Sequence, residues 1–340
     1  MESFIGPPPA PPTPEERRRM AKELAEAKKP HITVAYYAPT FGTDDSGEEV
    51  VYVLKQATWS VNLKNEDHFY LCSIKPNGGA RREICNLDRR DERQFHDLLW
   101  SPFDHMEISR SANLGVLGSE WGGGGDHILL FSLDGQTIYR LSSPAWDQDC
   151  RPWRVGYPTL SPDGKWVAYV EETCPEGPNG ACYFRIAKCR IDGSDYAVLT
   201  EFDHYRNDLQ PAWSPDGNWI AYIHPRGFSG SNELRVMDMN GNIQWSLASR
   251  FQLENPRWSP DSALILVNGQ DLVDVASKKV IGKLSPPQSN WAKWGKSGYV
   301  VPQKDGVDFV ELDGRTAHRL AQNVSRPAKR GDIRREECRW

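Results

Sequence analysis

Three stretches of this chain are near copies of one another: YPTLSPDGKWVAYV at 157–170, QPAWSPDGNWIAYI at 210–223 and NPRWSPDSALILV at 255–267. Recurrence of this kind constrains the fold more than any composition does, because each copy must be one supersecondary unit of a repeat architecture. Within Trp213-Ser214-Pro215-Asp216-Gly217, Pro215 presets the backbone for a turn, Asp216 tolerates the next position and Gly217 closes the turn without a steric penalty. One strand therefore ends near Trp213 and another starts after Gly217. That second strand, WIAYI at 219–223, is apolar on both faces, as a strand covered from both sides must be.

The chain then runs through NELRVMDMNG at 232–241, an apolar-rich run closed by an Asn-Gly hairpin signal, into a fourth strand around Trp245 to Ala248. One unit is thus four antiparallel strands. The third-to-fourth turn recurs at Asn77-Gly78, Asp134-Gly135, Asp192-Gly193, Asn240-Gly241 and Asp313-Gly314. The first-to-second turn recurs at Ser161, Ser214 and Ser259, with weaker forms at Trp100-Ser101-Pro102 and Trp294-Gly295-Lys296-Ser297-Gly298. From Ser101 the steps are 60, 53, 45 and 36 residues, and the longer ones carry the insertions SEWGGGGDH (119–127) and TCPEGPNGAC (173–182). A propeller blade takes roughly 40–45 residues. The units fall at about 31–90, 97–143, 157–201, 210–249, 255–286 and 291–321, with blade one's strands near 50–54, 68–74 and 80–87. The expected fold is all-β: a six-bladed β-propeller with four antiparallel strands per blade and a short N-terminal helical arm. Splitting residues 31–66 in two would make seven blades. Closing the ring covers every blade face.

The pattern at 158–169 and 211–222 resembles the WD40-like PD40 repeat of TolB-type β-propellers, over about 290 of the 340 residues. The resemblance implies a non-catalytic scaffold that binds a protein or peptide. TolB is exported, whereas the opening MESFIGPPPAPPTPEERRRM has no basic stretch followed by an apolar core, so the expected location is cytoplasmic. The alternative is a carbohydrate-binding or carbohydrate-active propeller. Oligogalacturonate lyases use a similar propeller with His near the start of inner strands, a pattern that these sequence positions do not reproduce.

Three segments are expected: an arm at 1–30, the propeller at 31–321 and a basic tail at 322–340. In the arm, GPPPAPPTP is stiff extended chain. Thr13 then caps a helix, Pro14 takes its first position, Glu16 closes a capping box, and the helix runs to about Lys28. The net charge of −5 argues against general polyanion binding, and no apolar run approaches a membrane span of ~20 residues. Of seven Cys, none form C-x-x-C, against a zinc ribbon. Cys72/Cys85 and Cys174/Cys182 flank hairpins and are expected as buried thiols, with bonding left open.

No G-x-S-x-G marks a nucleophile, and the eight His form no local ligand pair; no metal or cofactor is expected. Asp163, Asp216 and Asp261 are explained by turn geometry. The candidate site is the residue three before the motif aromatic in each unit: Asp97, Tyr157, Gln210, Asn255 and Trp291, clustered at one channel mouth. A second surface is the loop set Trp121, Trp146, Trp153, Arg226 and Phe228, whose residue types commonly anchor partners.

Overall fold

The structure is a computed structural model. It describes residues 13–62, 64–87, 105–109, 111–118, 128–134, 138–141, 154–173, 183–201, 207–225, 232–249, 253–284, 292–312 and 317–327. These divide into two compact units. The larger holds 35–56 and 69–323, and the smaller holds 1–34, 57–68 and 324–340.

The larger unit is a six-bladed β-propeller with four antiparallel strands to each blade. Blade one takes its strands from β1 (His31–Thr43), β2 (Glu49–Val61), β3 (Lys64–Ile74) and β4 (Arg82–Asn86). Blade two is β5 (His105–Ser109), β6 (Leu114–Gly118), β7 (Ile128–Ser132) and β8 (Ile138–Leu141). Blade three is β9 (Arg154–Leu160), β10 (Trp166–Thr173), β11 (Tyr183–Arg190) and β12 (Ala197–Val198). Blade four is β13 (Leu209–Trp213), β14 (Trp219–Pro225), β15 (Asn232–Asp238) and β16 (Ile243–Ala248). Blade five is β17 (Arg257–Trp258), β18 (Leu264–Val267), β19 (Asp271–Asp274) and β20 (Lys279–Lys283). Blade six is β21 (Lys293–Trp294), β22 (Gly298–Gln303), β23 (Gly306–Glu311) and β24 (Ala317–Gln322).

The double-sided apolar strand of the repeat does what its sequence demands. Ile220 and Tyr222 pack with Ala168, Ile186 and Trp213 at the seam between blades three and four. Ala221 and Ile223, on the opposite face of the same strand, pack with Leu234, Trp258 and Ile265 at the seam between four and five. The repeat turn is a hydrogen-bonded unit. Ser214 Oγ donates to Asp216 Oδ1 at 2.5 Å and accepts from Trp219 N at 3.0 Å, while Asn218 N donates to Asp216 at 3.1 Å. Ser161 and Ser259 repeat the pattern with Asp163 and Asp261. The third copy carries Ser262 where the others have glycine, and Ser262 takes φ 60, against 66 and 79 at Gly164 and Gly217.

Two copies of the motif escape the sequence reading. Blade one's first strand contains Ala38-Pro39-Thr40-Phe41, and Ala38 has φ 46. Blade two passes from its first to its second strand between Ser109 and Leu114, not at Trp100-Ser101-Pro102, which lie outside the described residues. Its turn keeps the hydroxyl tie, Ser109 Oγ to Ser111 Oγ at 3.3 Å, and a left-handed residue, Asn113 at φ 52.

Blades one and six close the ring through side chains. Glu49 accepts the backbone N–H groups of Lys296 at 2.5 Å and Ser297 at 3.0 Å, and also the Ser297 hydroxyl. Asn323 Oδ1 accepts from Tyr36 N at 2.9 Å, and Phe41 meets Phe309 edge to face. A Cβ at Gly295 would sit 2.5 Å from the Phe41 ring, so only glycine lets that ring in.

The smaller unit contains α1 (Pro14–Ala27), which starts with the expected capping box: Thr13 N donates to Glu16 Oε2 at 2.7 Å and Glu16 N to Thr13 Oγ1 at 3.2 Å. In the same unit, residues 31–34 of β1 pair antiparallel with β25 (Val324–Pro327), placing His31 opposite Pro327 and Val34 opposite Val324. The segment read from sequence as a basic tail thus begins with a strand.

Cys72 and Cys85 are buried and free. Register explains why they do not face each other: Cys85 lies opposite Leu71, while Cys72 lies opposite Glu83. Cys174 and Cys182 lie outside the described residues.

Candidate functional site

The first strands of successive blades, β5, β9, β13, β17 and β21, lie next to one another and form the wall of the channel. The first strand of a blade offers a ring position at or just before its start and a second position two residues further on, as at Gln210 and Ala212. A bulge separates them in blades three and four, where the register slips between Ala168 and Val170 and between Leu209 and Ala212. Bulges re-aim side chains. The residue before the proline takes a left-handed backbone at both bulges and at the matched position of blade five: φ is 49 at Tyr157, 57 at Gln210 and 50 at Asn255.

Of the expected channel residues, the structure joins Gln210 and Asn255 directly: Asn255 N donates to Gln210 Oε1 at 2.8 Å. Tyr157 occupies the same position on blade three. In blade two that position belongs to His105, one residue into the strand and only 2% exposed. Asp97 and Trp291 lie outside the described residues, as do the loop residues Trp121, Trp146, Trp153, Arg226 and Phe228. Asn255 is itself 2% exposed, and neither its Nδ2 nor its Oδ1 has a hydrogen-bond partner among the described residues.

The second ring is Thr40, Glu107, Thr159, Ala212, Arg257 and Lys293, two residues along from the first ring. Sequence reasoning passed over its charged members, although the two-residue spacing of a strand face could have found them. Glu107 is the hub. Its Oε2 accepts from Leu160 N at 2.7 Å and Thr159 Oγ1 at 3.1 Å on blade three, and its Oε1 lies 3.2 Å from His105 Nε2. Lys293 Nζ, from blade six, stands 3.3 Å from Nδ1. Burial pushes the Glu107 carboxyl up, but the His105 hydrogen bond and charge, the Lys293 charge and the Leu160 N–H outweigh it and hold the pKa down at about 2. Near neutral pH Glu107 is a fixed anion and a hydrogen-bond acceptor, poorly matched to proton transfer.

Thr159 passes the tie on by accepting from Trp213 N at 3.0 Å, and Ala212 O accepts from Trp258 Nε1 at 3.0 Å. Blades two to five are therefore stitched along the channel wall. Among the described residues, no group of three or more His, Cys, Asp or Glu could hold a metal ion. Nor is any described helix long and apolar enough to cross a membrane.

Six four-stranded blades around a polar channel define the class: a six-bladed β-propeller. Over 104 residues, 30% of its length, the chain is 32% identical to the Tol-Pal system protein TolB of Hydrogenovibrio crunogenus; the match spans 21% of that protein, well under two thirds. TolB from Acinetobacter baumannii superposes with a TM-score of 0.36 at 12% identity, covering 88% of this chain and 66% of that one. An oligogalacturonate lyase in complex with manganese superposes with a TM-score of 0.49 at 12% identity, covering 87% and 86%. No protein-family model matches. The sequence match and the six-bladed architecture are consistent with a TolB-type propeller.

Proposed function

We propose that this chain is a non-catalytic propeller that binds a protein or peptide segment at the channel mouth. The observation that carries the reading is the neighbouring pair of carboxamides, Gln210 and Asn255, the second buried with both amide atoms unpartnered among the described residues. A carboxamide offers one donor and one acceptor group side by side, the same pair that a peptide bond presents. The committed state of Glu107 supports a binding role over acid–base catalysis. The likeness to TolB supports a protein or peptide as the ligand class.

The test is a parallel screen of the intact chain against a displayed peptide library and a glycan array. A Gln210→Ala/Asn255→Ala variant, checked by circular dichroism, serves as the control. Peptides enriched by the intact chain and lost on the variant support the reading. Glycan binding without peptide enrichment overturns it.

A further inference from the structure

We infer that the channel takes the C-terminal residue of its peptide ligand, reading the terminal carboxylate with Lys293 and Arg257 and the last backbone N–H with Asn255. The inference rests on the peptide-binding reading above and narrows it to a chain end.

The charged side chains of the second ring stand on different blades, and Lys293 Nζ reaches within 3.3 Å of His105 Nδ1 on blade two. Glu107 sits on blade two and is tied into blades two and three by Leu160, Thr159 and His105. The cations Arg257 and Lys293 hold the same position on the adjacent strands β17 and β21. A ligand on the blade five and six side of the channel therefore meets two cations, and an oxyanion complements them.

Asn255 adds the second half of the recognition. It lies two residues before Arg257 on the same chain segment, buried, with Nδ2 and Oδ1 both unpartnered among the described residues. Buried polar groups left in this state are unfavourable, and their partner must supply an acceptor and a donor together. A bare carboxylate lacks the donor, and an internal peptide bond lacks the charge. The last residue of a peptide has both.

Backbone demand does not account for this asparagine. Asparagine is a common choice for a left-handed backbone, yet Ala38, Tyr157 and Gln210 adopt the same conformation at the matched positions, with φ between 46 and 57. The carboxamide is thus chosen for what it can bond to. Gln210, half-buried, accepts from Asn255 N, so admission of the chain end requires its side chain to move aside.

The experiment uses two tetrapeptide libraries of identical sequence content, one with free C-terminal carboxylates and one with C-terminal carboxamides. Each is incubated with the full chain, and retained peptides are identified by mass spectrometry after size exclusion. The expected result is retention of the acid library and loss of about tenfold or more on amidation, with Lys293→Gln weakening the recovered peptides by a similar factor. Urea melts of Lys293→Gln establish that the loss is not unfolding. Equal retention of both libraries overturns the carboxylate inference and leaves peptide binding standing. Retention of neither overturns both, and full affinity in Lys293→Gln overturns the role given to that residue.

Discussion

Glu107 on blade two accepts the backbone N–H of Leu160 on blade three at 2.7 Å, and this bond makes one ionised side chain part of the seam between two sheets. Its carboxyl is held at about 2 against an ordinary 4.5. A depressed folded-state pKa contributes stability that is present above the unfolded value and is lost as pH falls through the folded one. Wild type should exceed Glu107→Gln by on the order of 2 kcal/mol at neutral pH, with the gap closing between about pH 4.5 and 2. Urea melts of both proteins across that range check it; a gap independent of pH would falsify the assignment.

Two hairpin glycines separate backbone strain from crowding. Gly78 and Gly241 have φ 80 and 85, but a Cβ at Gly78 meets nothing within 4 Å, while one at Gly241 falls 2.6 Å from the carbonyl oxygen of Leu199 on blade three. Gly78→Ala should cost about 1–2 kcal/mol, the left-handed penalty alone. Gly241→Ala should cost distinctly more, because backbone must shift. Thermal melts of the pair decide this, and equal losses would remove the crowding argument.

The junction of blades one and six gives a third expectation. Glu49→Ala deletes the acceptor for Lys296 N and Ser297 N and should destabilise by about 1.5–3 kcal/mol, the range for hydrogen bonds to a charged group. Chevron analysis is informative here. If the junction forms late, the loss appears as faster unfolding, with the refolding rate little changed.

Burial pushes the Cys85 thiol up to about 12, raises Cys72 further, and lifts Cys189 to about 11. Thiolate is the reactive form, so all three should resist alkylation in the native chain at about pH 8 and label fully in urea. Peptide mapping by mass spectrometry reads each site separately. Native labelling of Cys72 would contradict its burial.

The fold was legible wherever turn chemistry is carried by residue identity. The Asp-Gly and Asn-Gly turns lie between third and fourth strands, and the Ser-Pro-Asp turns lie between first and second. Legibility stopped where the geometry survived a change of residues. The link from Ser109 to Asn113 keeps a hydroxyl tie and a left-handed residue but has no proline, aspartate or glycine, so the sequence puts blade two's first turn too early, at Trp100-Ser101-Pro102. The channel was half visible. Gln210 and Asn255 stand in evident copies of the repeat, whereas His105 and Lys293 are 188 residues apart and meet only because the ring is closed. No local pattern encodes such a meeting.

The pairing of β1 with β25 has a consequence for how the protein is made. Every blade is cut from one contiguous stretch, so most of its pairing partners emerge from the ribosome close together, and low contact order favours rapid formation. The pairing of residues 31–34 with 324–327 is different, because Thr33 and the Ser325 it faces are 292 residues apart in sequence. Until Val324 to Pro327 are synthesised, residues 31–34 of β1 present an uncovered edge to the cell. The nascent protein is exposed to mispairing along this edge, and that exposure ends when Val324 to Pro327 pair with it.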